Sequence, residues 1–140
     1  MTIRKFFEDI YINMVLVIAA IAVILMHWRG NAMQMFGLGL AIVAFTLWVI
    51  ARVQLDRSFS LRPEAKELVT HGFYSKIRHP IYVFSTLGVF GLALGINRPY
   101  FWIIFISVLL LQIWRAGKEE IVLKAAFGQK YLDYKKQTWF

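Results

Sequence analysis

Four long runs of this chain contain no Asp, Glu, Lys, Arg or His: residues 10–26, 30–51, 80–97 and 99–114, of 17, 22, 18 and 16 residues. A helix rises about 1.5 Å per residue, so crossing a hydrocarbon core of about 30 Å takes roughly 17 to 25 residues. The first three runs qualify on length. The fourth reaches only about 24 Å, but Arg98 and Arg115 flank it, and their stems can extend the apolar length while the guanidinium groups reach water. The pattern predicts an all-α integral membrane protein with about four transmembrane helices, at about 10–28, 31–52, 79–97 and 99–115, in a single membrane domain over 1–140. A cytoplasmic loop over 53–78 and a cytoplasmic helical extension over 116–140 complete it.

The polar stretches refine this picture. Beyond Trp114, Glu119, Glu120, Lys124 and Lys130 alternate with Ile121, Val122, Leu123, Ala126 and Phe127. The fourth helix is therefore expected to emerge from the membrane and break at Gly128, before a short segment carrying Tyr131 and Tyr134. Within the loop, 58–63 reads as irregular chain ahead of a short element at 64–69. Gly88, Gly91 and Gly95 form a small-residue face suited to close helix packing, and such a face would also suit a homodimer.

Composition excludes an ordinary soluble domain, since 59% of residues are hydrophobic and only 17% charged. The net charge of +8 is no nucleic-acid footprint, because fourteen of the sixteen Lys and Arg fall in the N-terminal segment, the central loop and the C-terminal tail. Those three lie on one side of a four-helix topology, with Arg29 and Arg98 on the other, so the positive-inside rule places both termini in the cytoplasm. A bacterial inner membrane is the expected location, with anionic membrane lipids attracted by about 1 kcal/mol per basic residue near the surface. Met26-His27-Trp28-Arg29 follows the first run where a signal peptide would have small residues, so that helix is expected to be retained. There is no cysteine, and His27, His71 and His79 are too few and scattered for a zinc set. No metal is expected.

Asn97-Arg98-Pro99 is the whole connection between the third and fourth runs. Such a short link makes an antiparallel hairpin, which puts His79 and Arg115 at the same cytoplasmic end. Pro80 suits a first helical turn, where its missing N–H costs nothing, and His79 then sits beside a positive helix terminus that favours an anionic group. Arg78 and His79 equally suit an interfacial anchor, with Tyr74 and Tyr82 in an aromatic belt. Arg115 and Glu119 are four apart and share a helical face, able to pair or to converge on a zwitterionic ligand. Glu120 lies roughly 100° around the helix and reads as a surface ion pair with Lys124. His27 and His71 read as solvated or interfacial.

Taken in order, Leu68-Val69-Thr70-x-Gly72-x-Tyr74-x-x-x-Arg78-His79-Pro80-x-Tyr82, an apolar hairpin, and Arg115-x-x-x-Glu119-Glu120-x-x-Leu123-x-x-x-Phe127-Gly128-x-x-Tyr131-x-x-Tyr134 resemble the isoprenylcysteine carboxyl methyltransferase family and its phospholipid methyltransferase relatives. The resemblance covers about 55–136. It implies methyl transfer from S-adenosyl-L-methionine to a lipophilic small-molecule or lipidated substrate. It further implies that Leu68, Val69, Tyr74, His79, Pro80, Ile81, Tyr82 and Glu119 contact that cofactor, and that Arg115 orients the substrate. Three positions depart from the pattern: Lys66 where the family often has histidine, Phe73 where proline is frequent, and Phe84 where a small residue is usual. The chain also ends at Trp139-Phe140, where relatives often continue into a longer tail containing proline. Two other readings stand beside this one. Membrane reductases that bind NADPH look similar in their C-terminal helices, and a non-catalytic membrane interaction protein would use the same residues as anchors.

Overall fold

Small residues set how closely the first two described helices approach. The computed structural model describes residues 30–60 and 68–139, backbone only over 56–60, together with seven positions between 15 and 26, all helical. The rest of the expected span at 10–28, and the expected element at 64–69 up to residue 67, lie outside the described residues. Four helices follow in order: α1 (Ala32–Ser60), α2 (Pro80–Ile96), α3 (Pro99–Phe127) and α4 (Gln129–Gln137), with a single 3-10 turn at Gly72–Ser75 before α2. Among the described residues the only strand-like feature is one parallel bridge between Ile77 and Trp139.

Along α1, Gln34, Gly37, Ala41, Ala44, Trp48 and Ala51 recur at spacings of three and four, and all are buried. This stripe meets α2 running the other way: Gly37 and Ala41 face Gly91, Gly37 also faces Gly95, and Ala44 faces Gly88. A Cβ on Gly91 would stand 2.7 Å from the Ala41 nitrogen and 2.8 Å from the Gly37 oxygen. The two backbones are thus in contact, the arrangement that small residues permit inside a bilayer. The expected packing face is borne out, and because α1 occupies it, those glycines are not a surface for a second copy of the chain. Trp48, Ala51 and Phe84 close this interface at its polar end, where Ile77 and Ile81 pack on them.

Asn97 in the left-handed region and Arg98 turn the chain from α2 into α3. Asn tolerates that conformation better than most residues. α3 then runs back along α2, with Phe90 against Trp102 and Phe105, and Gln112 Nε2 donating to Ser85 Oγ at 3.1 Å. No residue of α3 is buried. Its outer side presents Ile103, Leu110, Leu111 and Trp114. The stretch Ala32–Leu55 and α3 are each long and apolar enough to cross a membrane, while α2 is a shorter apolar helix of 17 residues.

Two helices outlast their apolar runs. α1 continues to Ser60, so 58–60 is helical and not irregular, and α3 continues unbroken to Phe127. Charge ends a hydrophobic run without ending a helix: no Gly or Pro interrupts α1 between Gly39 and Pro63, and residues such as Arg, Gln, Leu and Glu are good helix formers.

Gly91→Ala is expected to destabilise the protein by about 1 to 3 kcal/mol through overpacking against backbone. Gly39→Ala and Gly117→Ala, whose added methyls meet nothing within 4 Å, should be neutral or stabilising by up to about 1 kcal/mol. Thermal unfolding of the three variants in detergent compares them directly.

Candidate active site

The polar end of the hairpin is built on a turn that α1 holds in place. Gly72 adopts a φ of 61°, a region costly for residues with a side chain, and the turn over Gly72–Ser75 lies against Gln54 of α1. Gln54 Oε1 accepts the Phe73 N–H at 3.0 Å. Proline at position 73 would lack that hydrogen. The Phe73 ring in turn meets Phe84 edge-on, with centroids 5.1 Å apart. Two of the departures from the family pattern therefore contact each other. The turn carries Tyr74, which is 7% exposed, into the space beneath α4.

His79 follows at the start of α2, its side chain 8% exposed. Its Nδ1 lies 3.4 Å from Glu119 Oε2 and its Nε2 lies 4.0 Å from Glu120 Oε1, and the ring stacks on Tyr82 with centroids 5.7 Å apart. Tyr82 also lies close enough to Glu119 to interact with its carboxylate. Pro80 is fully buried beside them, and Ile81 packs on Trp48, Ala51 and Phe84. The structure thus brings Tyr74, His79, Tyr82 and Glu119 together. It places Leu68 and the buried Val69 in the irregular chain that enters the turn.

Two details differ from the expected chemistry. The His79 carbonyl accepts the N–H groups of both Tyr82 and Val83, at 3.1 Å each, so the helix terminus offers an anion fewer donors than a bare one. Glu119 turns to His79 and Tyr82, with no ion pair to Arg115 among the described residues. Arg115 is exposed, close enough for its charge to be felt at Tyr82. That leaves the guanidinium free to meet something from outside.

Glu120 corrects the expectation more sharply. It is no surface pair with Lys124: its carboxylate lies 2.7 Å from Lys135 Nζ and 3.5 Å from Arg78 Nε. One carboxylate therefore links α3 to α4 and to the chain entering α2. The buried Tyr131 hydroxyl faces the same group, and burial, with Glu120 second, raises its pKa. The signal that could have found this role was the excess of cations, since Arg78 and Lys135 both need a partner once buried or brought close.

The C-terminal segment closes over the turn. Tyr134 donates its hydroxyl hydrogen to the Tyr74 carbonyl at 2.6 Å, a buried contact. Burial, with Tyr131 second, pushes the Tyr134 phenol up to about 12, so it stays a donor at neutral pH. Tyr74 is raised too, by burial first and then by the charge of Glu119. Trp139 donates its N–H to the Lys76 carbonyl at 2.7 Å and accepts the Arg78 N–H at 3.4 Å. Gln54 is thus a structural member of the site that residue spacing had not singled out, and Tyr131 and Tyr134, noted along the chain only as motif positions, are two more.

A buried histidine facing two adjacent carboxylates, at the polar end of an apolar hairpin, can now be set against known proteins. A family model described as phospholipid methyltransferase matches residues 14–130. The chain belongs to the phospholipid methyltransferase family. Among similar proteins, protein-S-isoprenylcysteine O-methyltransferase of Mus musculus is 34% identical over 84 residues, covering 56% of this chain and 28% of the relative. That of Tribolium castaneum is 30% identical over 122 residues, covering 80% and 41%. Protein-S-isoprenylcysteine O-methyltransferase B of Arabidopsis thaliana is 32% identical over 117 residues, covering 76% and 55%. The chain therefore spans between about a quarter and about half the length of these relatives. No solved structure matches it.

Within this phospholipid methyltransferase family chain, Tyr134→Phe leaves a buried carbonyl without its donor and is expected to cost about 1 to 3 kcal/mol in thermal unfolding. A double-mutant cycle on Glu120→Gln and Lys135→Met should return a coupling of about 0.5 to 1 kcal/mol, modest because both groups are partly exposed.

Proposed function

We propose that this chain is an S-adenosylmethionine-dependent methyltransferase acting on a lipophilic acceptor at the cytoplasmic edge of a membrane that it crosses with about four helices. The observation that carries the reading is the convergence of His79, Tyr82 and Glu119 at the polar end of the α2–α3 hairpin, in a chain of the phospholipid methyltransferase family. Charge asymmetry supports the orientation, with most Lys and Arg on the side of this site.

The residues present suit such a cofactor, which bears an ammonium, a carboxylate, ribose hydroxyls and an aromatic base. Glu119 is 44% exposed in its side chain, so its carboxylate can receive an ammonium or hydroxyl donor while still holding His79. His79 Nε2 is buried without a hydrogen-bond partner. Tyr74 and Tyr82 supply aromatic surface, and Leu68, Val69, Pro80 and Ile81 supply apolar walls. When bound, S-adenosylmethionine supplies a methyl group activated by its sulfonium.

The chain's own part is positioning, which dominates an in-line displacement. Glu119 and His79 orient each other and limit the rotamers that each can take. Arg115, exposed and unpaired with Glu119, is placed to hold the acceptor. The names of the relatives favour a carboxylate acceptor, which Arg115 would grip through two parallel N–H bonds. A carboxylate needs no general base. An amine would have to lose a proton, and then Glu119 or His79 would take it.

Calorimetric titration of the detergent-purified protein with S-adenosylhomocysteine tests the reading. Binding is expected with S-adenosylhomocysteine and none with NADPH; the reverse result would return the reductase reading. Glu119→Gln should weaken S-adenosylhomocysteine binding by about tenfold to a hundredfold, the value of a charge-assisted hydrogen bond. Arg115→Ala should leave that affinity near the parent value while turnover falls.

A further inference from the structure

The register of α1 against α2 carries one more residue to the site. Gly37 faces Gly95, Ala44 faces Gly88 and Trp48 packs with Phe84, so each step forward along α1 is matched by a step back along α2. Continued one turn beyond Trp48, that register puts Arg52 level with Pro80, the first residue of α2. Arg52 follows Ala41 by three turns, which leaves the two residues only about 20° apart around the helix axis. Ala41 is buried against Gly91, so Arg52 lies on the side of α1 that faces α2. It is half-buried, and its Nε atom is inaccessible to solvent.

Charge at that position bears on the groups gathered there. The Arg52 guanidinium is felt at the hydroxyls of both Tyr74 and Tyr82, and so is the Glu119 carboxylate. Two opposite charges, one from α1 and one from α3, thus act on the same two tyrosines, and both helices pack on α2. Other cations of this end have different duties. Arg78 and Lys135 lie on Glu120, Lys118 stands over the Trp114 ring, and Lys76 is exposed. Arg115 reaches Tyr82 from the exposed side of α3. Arginine also suits a half-buried place better than lysine does, because its guanidinium is more weakly hydrated and offers a carboxylate two parallel N–H groups.

We propose that Arg52 holds the carboxylate of the methyl donor's amino-acid part, while Glu119 receives the ammonium beside it. The assignment rests on the S-adenosylmethionine reading above and adds a residue that precedes the motif run, at about 55–136, on which the resemblance was drawn. A zwitterion carries its two charges on one carbon, so the groups that bind them must stand close together without cancelling each other. Placing them on two helices that α2 holds apart meets that demand. α1 then does more than brace the Gly72–Ser75 turn through Gln54: two residues earlier, it supplies a charge of its own to the site.

The test compares two ligands by calorimetry on the detergent-purified protein: S-adenosylhomocysteine and its decarboxylated analogue, which keeps the ammonium and lacks the carboxylate. The parent is expected to prefer S-adenosylhomocysteine by about tenfold to a hundredfold, the value of a charge-assisted hydrogen bond. Arg52→Gln should lose most of that preference, with its affinity for the analogue near the parent value, and Arg52→Lys should recover part of it. A residue that only braced the fold would weaken both ligands alike. An unchanged ratio in Arg52→Gln would therefore overturn the proposal and leave the donor reading intact. Equal affinity of the parent for the two ligands would overturn it without any variant. Loss of the preference in Arg115→Ala and not in Arg52→Gln would move the carboxylate to α3. No binding of either ligand to the parent would sink the donor reading, and this proposal with it.

Discussion

Glu119 and Glu120 are adjacent on α3, yet between them they face both ring nitrogens of His79. Neighbours on a helix point roughly 100° apart, so only a ring lying in the angle between them can meet both. That contact ties the start of α2 to the polar half of α3, as Asn97 and Arg98 tie the two helices at their other end. Gln112 and Ser85 form a third link between the two ends. With the hairpin held at three levels, the register of Arg115, Glu119 and Tyr82 is set by covalent and polar constraints, although no residue of α3 is buried.

The rest of the structure supplies what that contact needs. In lipid, apolar surface alone gives helices little reason to associate, so close van der Waals packing and interhelical polar bonds must do it. α1 and α2 associate through contacting backbones. The same pair carries the Gly72–Ser75 turn, because Gln54 beyond the apolar part of α1 captures the Phe73 N–H. From the far side, Tyr134 and Trp139 bond the backbone of residues 74 to 78. The chain that presents His79 is thus held from α1 below and α4 above. Charges at a membrane edge carry a desolvation cost unless paired, and Glu120 offsets it for Arg78 and Lys135 together.

Spacing read well which residues meet at one end of the hairpin and read their wiring poorly. The three-residue link Asn97-Arg98-Pro99 predicted that His79 and Arg115 would share one end of the hairpin, and with them Tyr82 and Glu119, one turn further along each helix. The same reasoning paired Glu120 with Lys124 because they are one turn apart. It could not weigh Lys135, which reaches Glu120 only after Gly128 breaks the helix and α4 folds back. Phe73 and Phe84 are a similar case. Each looks like an isolated departure along the chain, and in space they form one aromatic contact that fills the corner between turn and helix.

Hydrophobic run length and the absence of charge within runs were enough to establish a helical chain with long apolar segments and its charges gathered at their ends, because transfer free energies act residue by residue. The small-residue face of α2 was also legible, since glycines spaced by three and four let another helix backbone approach. Folding in three dimensions decided where the helices end and which carboxylate is structural. Those outcomes depend on which side of a helix each residue faces and on what another segment brings to it. The paired glutamates show the difference: one sequence dipeptide, with one member shared by His79 and Tyr82 and the other claimed by Arg78 and Lys135.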